Sequence, residues 1–424
     1  MTATATDFAS FLDAGPSPFH CVAEAQRRLE AAGFRQVDET AAPATITAGS
    51  GGYVIRGGSL CAWRAGSDAP AAAGFRLVGA HTDSPNLRVK PRPDVKAEGY
   101  YQLGVEVYGG VLLATWADRD LGLSGQVQVE GEDGAVTSRL VRIDRPIARI
   151  PNLAIHLNRK VNDDGLKLNA QKHLPPVLGQ GDWGGFAAFL AAELGVARVL
   201  GWDVGLHPTE PAAIGGVSGD FVFSPRLDNE ASCYYGLMAL LGAGPTAATQ
   251  VLALFDHEEV GSRSYSGAMG PLLRDVLERV VRDHEEQAPG GFARAAAQSW
   301  MASSDMAHGV HPNFADVHEP LHKPALNGGP VVKAHAELRY ATTAESAARF
   351  RQCCERAGVP CQDFVTRTDL ACGSTIGPIS SAELGIRTVD VGCAMLSMHS
   401  IREQCGARDV AMMTAALGQW LTMG

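Results

Sequence analysis

The stretch Val251-Leu-Ala-Leu-Phe255-Asp-His-Glu258-Glu259 joins a short, wholly apolar run to a cluster of acidic residues. Five consecutive apolar residues of this kind predict a buried strand. A second, largely apolar run, Phe75-Arg-Leu-Val-Gly-Ala80, leads in the same way into His81. Polar side chains directly after buried strands are typical of an open α/β sheet, which binds its ligands at the carboxyl ends of its strands.

Amphipathic helices are predicted beside these strands. Ser17-Pro18 begins an apolar stripe with a period of three to four residues, and this stripe ends at Gly33. Similar stripes lie between Leu272 and Val281 and between Val410 and Leu421. Helices of this kind cover the faces of a sheet, so the sequence predicts the α/β fold class.

Residues 94–205 follow a different pattern. The stretches Tyr101–Tyr108 and Gly125–Glu130 alternate between apolar and polar residues, which predicts half-buried strands in a β-rich insertion. At 424 residues the chain exceeds the usual size of one hydrophobic core. The insertion would interrupt a single domain made of residues 1–93 and 206–424, an arrangement that surface loops permit.

Composition excludes several classes of protein. The net charge of −10 argues against a nucleic-acid binder, which would present a basic face to phosphates. The sequence contains no run of 18 apolar residues, so it predicts no membrane span. Its N-terminal residues lack the pattern of an export signal. Nine scattered cysteines without a Cys-x-x-Cys pair indicate reduced thiols. We therefore expect a cytoplasmic protein without membrane or nucleic-acid partners.

Widely separated residues form a candidate metal site. Imidazole and carboxylate groups without cysteine suit a hydrolytic site with open positions better than a structural zinc site. The candidate residues are His81, Asp228, the pair Glu258 and Glu259, Asp305 and His399. Each alone also fits an ordinary structural role, such as a turn or helix-cap aspartate. Together, however, five potential ligands and one spare carboxylate match a hydrolase that activates water between two metal ions.

The candidate residues lie in longer motifs: Gly79-Ala-His-Thr-Asp-Ser-Pro85, Ser224-Pro-Arg-Leu-Asp-Asn229, Phe255-Asp-His-Glu-Glu-Val-Gly-Ser262, Ser304-Asp-Met-Ala-His-Gly-Val-His-Pro-Asn313 and Met398-His-Ser-Ile-Arg-Glu403. These motifs resemble those of the aspartyl aminopeptidase family of dinuclear zinc exopeptidases, and the resemblance covers nearly the whole chain. Further similar stretches lie between the motifs, including Ile150–Leu157 and Cys372–Pro378.

The resemblance implies a mixed-sheet zinc-peptidase catalytic domain with helices on both faces and an inserted β-rich dimerisation domain. It also implies two zinc ions per subunit, although manganese or cobalt suits the same ligands. Asp228 would bridge the two ions. His81 and Asp305 would complete one site, and Glu259 and His399 would complete the other.

The resemblance further implies the chemistry and the substrate. Glu258 would be the general base that takes a proton from the attacking water. Asp83 lies two residues after His81, where its carboxylate can orient the imidazole, and we count it as a second catalytic residue. The substrates would be peptides with N-terminal Asp or Glu, and Lys333 would bind their side-chain carboxylate. The preceding Leu326-Asn-Gly328 departs from the family's more usual Phe-His-Lys.

Two features of the insertion bear on self-association. His156 resembles a family histidine that contributes to the active site of a neighbouring subunit, although a local structural role is an alternative. Members of the family form dimers that assemble into tetrahedral dodecamers, and we expect the same here. The nearby Asp118-Arg119-Asp120 looks like a catalytic cluster, but its place in the insertion favours structural salt bridges.

Other functions fit parts of the pattern. The same fold and metals would serve an aminopeptidase for neutral or basic N-termini, or a related deacylase. A catalytically idle assembly or cargo-binding protein would be expected to lack a ligand or Glu258, and neither is lost. A phosphoesterase also uses two metals, but the chain has no P-loop glycine motif.

Overall fold

The protein structure, a computed structural model, describes residues 2–41, 46–131, 133–181, 183–285 and 290–424. These residues form two compact units. The first comprises the described residues of Met1–Asp83, Ala212–Met398 and Glu403–Gly424. The second comprises those of Ser84–Pro211 and His399–Arg402.

The bounds of the elements are as follows. The α-helices are α1 (Thr2–Ala14), α2 (Pro18–Ala31), α3 (Pro70–Ala73), α4 (Val161–Asp164), α5 (Ala170–His173), α6 (Phe186–Leu194), α7 (Leu227–Gly242), α8 (Leu272–Glu285), α9 (Gly291–Gln298), α10 (Ala344–Ala357), α11 (Ile376–Leu384) and α12 (Asp409–Thr422). The strands are β1 (Arg35–Gln36), β2 (Gly51–Arg56), β3 (Ser59–Arg64), β4 (Phe75–His81), β5 (Asn86–Ala97), β6 (Tyr100–Tyr108), β7 (Asp120–Glu130), β8 (Val136–Arg149), β9 (Val177–Gln180), β10 (Val199–Pro208), β11 (Ala213–Gly215), β12 (Phe221–Ser224), β13 (Thr249–Phe255), β14 (Trp300–Ser304), β15 (Ala307–His308), β16 (Val331–Lys333), β17 (Gln362–Phe364), β18 (Arg387–Gly392), β19 (Ala394–Leu396) and β20 (Glu403–Gly406). Short 3-10 helices span Leu113–Trp116, Glu258–Val260 and Ala315–Val317.

The first unit is built around a mixed sheet with the strand order β1-β2-β3-β13-β4-β14-β18-β16-β17. The central strands β13, β4, β14 and β18 are parallel to one another. Antiparallel pairing joins β3 to β13 and β16 to β18. A smaller sheet has the order β11-β12-β20-β19-β15. The predicted α/β class with a mixed sheet is therefore confirmed.

Alternate residues of β13 enter two separate hydrophobic cores. Leu252 and Leu254 lie in a core that includes side chains of α1, α2, α7, α10 and α12. Val251 and Phe255 lie in another, which includes side chains of α8, α9 and α11. The strand is buried on both faces, which explains why its sequence is continuously apolar rather than alternating. Helices thus cover both faces of the sheet, as predicted.

The individual elements predicted for this unit are also present. Helix α2 begins at Pro18, with Ser17 as its N-cap residue. The Ser17 hydroxyl lies 2.7 Å from Nδ1 of His20 and does not cap the helix backbone. The two predicted buried strands lie within β4 and β13, and the two other predicted apolar stripes lie on α8 and α12.

The second unit is a closed antiparallel barrel with the strand order β10-β5-β6-β9-β8-β7. The predicted strands Tyr101–Tyr108 and Gly125–Glu130 lie within β6 and β7. This unit extends past residue 205 because β10 pairs with β7 as far as Pro208. Its core contains apolar side chains from the barrel strands and from α6.

The second unit also begins earlier than the predicted residue 94. Its first strand, β5, contains Pro91 and Pro93, and proline cannot donate a hydrogen bond to a sheet. In the structure the pairing of β5 with β6 shifts register between Val89 and Asp94, so both prolines fall in the irregular part of one continuous strand.

Two further findings concern the cysteines and the apolar character of the helices. All nine cysteines are free thiols, and only Cys361 and Cys372 are partly exposed. Within the described ranges, no helix combines the length and the apolar character that crossing a membrane requires.

Candidate metal centre

The parallel pairing of β13, β4 and β14 brings their carboxyl ends to one edge of the sheet. Phe255, the last residue of β13, pairs with His81, the last residue of β4. Asp305 directly follows β14, and the acidic turn that begins at Asp256 directly follows β13. Three stretches that are far apart in sequence therefore supply polar side chains to one place, as expected for an open α/β sheet.

His81 is the centre of this group and is only 1% exposed. Its Nε2 lies 3.5 Å from Oδ1 of Asp228, 3.9 Å from Oε2 of Glu258 and 3.9 Å from Oδ2 of Asp305. Its Nδ1 lies 2.9 Å from the main-chain oxygen of Asp83. A proton on Nδ1 satisfies this contact and leaves the Nε2 lone pair directed at the carboxylates.

Asp83 contacts both His81 and the acidic turn. Its carboxylate is 3.4 Å from Nδ1 of His81, farther than its own main-chain oxygen, which accepts the ring hydrogen bond. The two carboxylate oxygens also accept hydrogen bonds from the main-chain N–H groups of Glu258, at 3.0 Å, and Glu259, at 3.1 Å. Asp83 thus fixes the histidine ring through its backbone and the acidic turn through its side chain.

Asp228 lies at the start of α7 and is 3% exposed. Its main-chain N–H donates to Oε2 of Glu403 at 3.1 Å. The adjacent Asn229 donates from its side-chain amide to the main-chain oxygen of Ser304, at 2.9 Å. These bonds tie the helix start to β20 and to the residue before Asp305. Sequence reasoning gave no role to Glu403 or Asn229, although both belong to the quoted motifs.

Lys333 is buried beside Asp305. Its Nζ lies 3.7 Å from Oδ1 of Asp305, donates to the main-chain oxygen of Met306 at 3.3 Å, and lies 5.1 Å from the centre of the Tyr340 ring. On the neighbouring strand it pairs with Asp390, a fully buried acid. Sequence reasoning missed Asp390 and Tyr340. The signal for Asp390 was a charged residue within the otherwise apolar run of β18.

The electrostatics of the cluster are dominated by burial and like charge. Burial, reinforced by Asp305 and Glu259, raises the pKa of Glu258 to about 8, although His81 opposes the shift. Burial also raises the pKa of Asp305 to about 6, while Lys333 opposes it. For His81 burial acts to lower the pKa, but Glu258, Asp228 and Asp83 outweigh it and raise the pKa well above its ordinary value. The protein alone therefore holds protons here that a cation would displace.

A divalent metal ion fits this donor set. Ligand atoms of His81, Asp228 and Asp305 all lie within 4.8 Å of one another. The same is true of ligand atoms of His81, Glu258 and Glu259. Buried imidazole and carboxylate donors suit zinc and related first-row ions, and the excess negative charge would be compensated by such an ion.

The other two predicted site residues lie in the second unit. Nδ1 of His399 is 2.9 Å from the main-chain oxygen of Gly110. It donates a hydrogen bond to this oxygen when the ring proton is on Nδ1. This tautomer leaves the lone pair on Nε2, the form that a metal-binding histidine requires. His156 lies in an exposed turn after β8.

A cavity of about 330 Å³ lies within the first unit. Tyr340, whose ring lies beside the Lys333 ammonium group, forms part of its wall. Other lining residues include His308, Phe364, Arg367, Cys372 and Met395. The cavity is large enough for an amino-acid side chain and offers both aromatic and polar walls.

Comparisons with a family model, with related sequences and with solved structures find M18 aminopeptidases and proteins similar to them. A family model described as aminopeptidase I zinc metalloprotease (M18) matches residues 11–420. A protein of Streptomyces coelicolor, described as a probable M18 family aminopeptidase 2, is 50% identical over 428 aligned positions, covering 98% of this chain and 96% of the relative. A protein of the same description from Pseudomonas aeruginosa is 49% identical over 418 positions, covering 96% of this chain and 95% of the relative.

Solved structures also match along the whole chain. The cryo-EM structure of the Ape4 and Nbr1 complex gives a TM-score of 0.95 at 36% identity, covering 99% of this chain and 85% of the other. The mApe1 dodecamer of Saccharomyces cerevisiae gives a TM-score of 0.86 at 28% identity, covering 99% of this chain and 98% of the other.

The contacts of Asp83 lead to a testable prediction. Replacing Asp83 by Ala removes the carboxylate that holds the Glu258–Glu259 turn but keeps the main-chain oxygen that orients His81. We expect zinc affinity to fall by about 10- to 100-fold, as for other partners that orient metal ligands. Competition with a chromogenic chelator measures this affinity. The exposed Asp68→Ala serves as the control, and an Asp83→Ala protein with the same affinity as this control would contradict the role.

Proposed function

The chain belongs to the M18 family of zinc metallo-aminopeptidases, and we propose that it removes N-terminal aspartate and glutamate from peptides. The observation that carries this proposal is the buried cluster at the sheet edge, where Glu258 lies beside the candidate metal ligand His81 and a buried lysine lies beside Asp305. The cluster supports water activation, and Lys333 supports recognition of an acidic side chain.

We propose that the cluster holds two zinc ions per subunit, with manganese or cobalt as chemical alternatives. Asp228 would bridge the ions, and His81 and Asp305 would complete one site. Glu259 and His399 would complete the other. The mutual proximity of His81, Asp228 and Asp305 supports the first set. The contact of His399 Nδ1 with the main-chain oxygen of Gly110, which leaves Nε2 for a metal ion, supports the role of His399 as a ligand.

The chemical step follows from the position of Glu258. Zinc, when bound, lowers the pKa of a coordinated water to about 7 and polarises the carbonyl group of the scissile bond. The Glu258 carboxylate takes a proton from the attacking water while the water oxygen forms a bond to the carbonyl carbon. Glu258 then gives this proton to the leaving nitrogen as the C–N bond breaks. Asp83 accepts hydrogen bonds from the N–H groups of Glu258 and Glu259, and these bonds keep the acidic turn in place during both transfers.

Specificity for acidic N-termini rests on Lys333. A buried substrate carboxylate needs a cationic partner, and Lys333 is a buried cation beside the cavity wall formed by Tyr340. Its ammonium group also faces Asp305, so part of its charge is already compensated. An aminopeptidase for neutral or basic N-termini would use the same metal site, and the choice between the two lies in this pocket.

We also propose that the enzyme is a homo-oligomer, built from dimers into a tetrahedral dodecamer, with the second unit as the dimerisation domain. The dodecameric state of the similar yeast mApe1 structure supports this assembly. In the second unit, the turn that carries His156 also exposes Leu153, Ile155 and Leu157. Clustered exposed apolar side chains favour a protein interface. His156 would then act in the active site of the neighbouring subunit.

The free cysteines support a cytoplasmic location. None of the nine forms a disulfide, and seven of them are buried. Structural disulfides are typical of oxidising compartments, whereas reduced and buried thiols fit a reducing one.

Replacing Glu258 by Gln tests the chemical step. We expect turnover to fall by about a hundredfold to ten-thousandfold, because general acid–base catalysis contributes about 10²–10⁴. Two zinc ions per subunit should remain bound. Hydrolysis of Asp-p-nitroanilide and atomic emission spectroscopy measure these two quantities. A Glu258→Gln enzyme that retains activity with full zinc content would remove Glu258 from this role.

Replacing Lys333 by Met tests the acidic pocket. The wild-type enzyme should prefer Asp- and Glu-p-nitroanilide to the Leu and Lys compounds. In Lys333→Met the preference for Asp over Leu should fall by at least about 30-fold, because an unpaired buried charge costs roughly 2 kcal/mol or more. The exposed Lys323→Met is the control. An equal loss of kcat/KM on every substrate would instead assign Lys333 to the support of Asp305.

Mixed oligomers test the role of His156. The His156→Ala enzyme should bind zinc normally and be poorly active, because each active site would lack the histidine of its neighbour. Coexpression with Glu258→Gln subunits should restore activity, since these supply His156 to intact sites. The control is His173→Ala, which alters another exposed histidine of the same unit. A His156→Ala enzyme as active as this control would contradict the proposal.

A further inference from the structure

The segment of residues 151–157 follows β8 and is exposed throughout. Its apolar side chains Leu153, Ile155 and Leu157 are 60%, 47% and 75% exposed. Its turn is closed locally, by a hydrogen bond from the N–H of Leu157 to the oxygen of Ala154 at 2.9 Å. A local bond of this kind fixes the shape of the turn, but it does not fix the direction in which the segment leaves the barrel.

Asp118 holds the base of this segment. Its Oδ1 accepts the main-chain N–H of Asn152 at 3.1 Å, and its Oδ2 accepts the side-chain amide of Asn152 at 2.8 Å. Its own N–H donates to the oxygen of Ile150 at 2.8 Å. The side-chain and main-chain bonds from Asn152 lower the pKa of Asp118, so the carboxylate is ionised at neutral pH. Charge-assisted bonds to both donor groups of one residue define its orientation more tightly than a single contact would.

The backbone explains why this position is an aspartate. Asp118 has a φ of +60°, in the left-handed region that aspartate and asparagine tolerate better than most side chains. Ala117, just before it, forms an isolated parallel bridge with Ile150. Asp120, two residues later, pairs with Arg149 at 2.9 Å. Both aspartates face Arg149, whose Nη2 lies 3.8 Å from Oδ1 of Asp118, but Asp118 alone of the two accepts the bonds from Asn152.

We propose that Asp118 is a positioning residue that sets the direction of residues 151–157, so that the apolar turn docks on a second copy of this chain and His156 reaches the site it serves. This inference rests on the proposed role of His156 in the neighbouring subunit. It adds to the structural salt-bridge role that the sequence favoured for Asp118, whose carboxylate also faces Arg149. Asp120 keeps that structural role.

The test compares Asp118→Asn and Asp118→Gly with the matched control Asp120→Asn. Asparagine and glycine both accept the left-handed backbone, so neither variant adds backbone strain. Asparagine keeps one acceptor oxygen and loses the charge and the second bond, whereas glycine removes both bonds. We expect kcat on Asp-p-nitroanilide to fall about tenfold in both variants, as for the loss of a charge-assisted hydrogen bond. The control should change kcat less than about twofold. Zinc content should stay at the wild-type level in all three.

Two further measurements separate positioning from a general structural effect. In a His156→Ala background, Asp118→Asn should cause no further loss of kcat, because it would act only through His156. Coexpression with Glu258→Gln subunits, which carry an intact segment, should restore activity to Asp118→Asn sites. Additive losses, or equal losses in Asp118→Asn and Asp120→Asn, would overturn the proposal for Asp118 and leave the role of His156 standing. A fully active His156→Ala enzyme would instead overturn the role of His156, and the proposal for Asp118 with it.

Discussion

The burial of several carboxylates around one imidazole is the constraint on which the site depends. The parallel ends of β13, β4 and β14 bring Glu258 and Asp305 to His81, and burial with like charge raises the pKa of both acids. Such a group is costly in a protein without a cation. The surrounding hydrogen bonds hold the acids together despite their repulsion, most directly those of Asp83 with the acidic turn and of Glu403 with Asp228.

Much of this arrangement could be predicted from the sequence, because its main signals are local. A buried strand followed at once by His81, or by the Glu258–Glu259 pair, identifies both a strand and a functional residue. The bonds that orient these residues could not be predicted, since the carboxylate of Asp83 reaches N–H groups more than 170 residues away. The start of the insertion at residue 94 rested on the alternation of later stretches, so it missed residues 84–93, where β5 pairs with β6 across a register shift.

The two proposed determinants of specificity show a different limit. The sequence indicated Lys333 as a cation for the substrate, but only the structure places it beside Asp305 and the Tyr340 ring. Lys333 therefore lies between the candidate metal ligand Asp305 and Tyr340, which forms part of the cavity wall. Similarly, the sequence shows His156 between apolar residues. The exposure of those residues, and the contact of Asn152 with Asp118, became visible only in the fold.

The most direct test of the account is a crystal structure of the zinc-loaded enzyme with anomalous diffraction data on both sides of the zinc absorption edge. The account predicts two zinc peaks per subunit, separated by about 3.5–4 Å, with the Asp228 carboxylate between them. His81 and Asp305 should contact one ion, and Glu259 and His399 the other. A single zinc peak at full occupancy, or two ions that Asp228 does not bridge, would contradict the two-metal site.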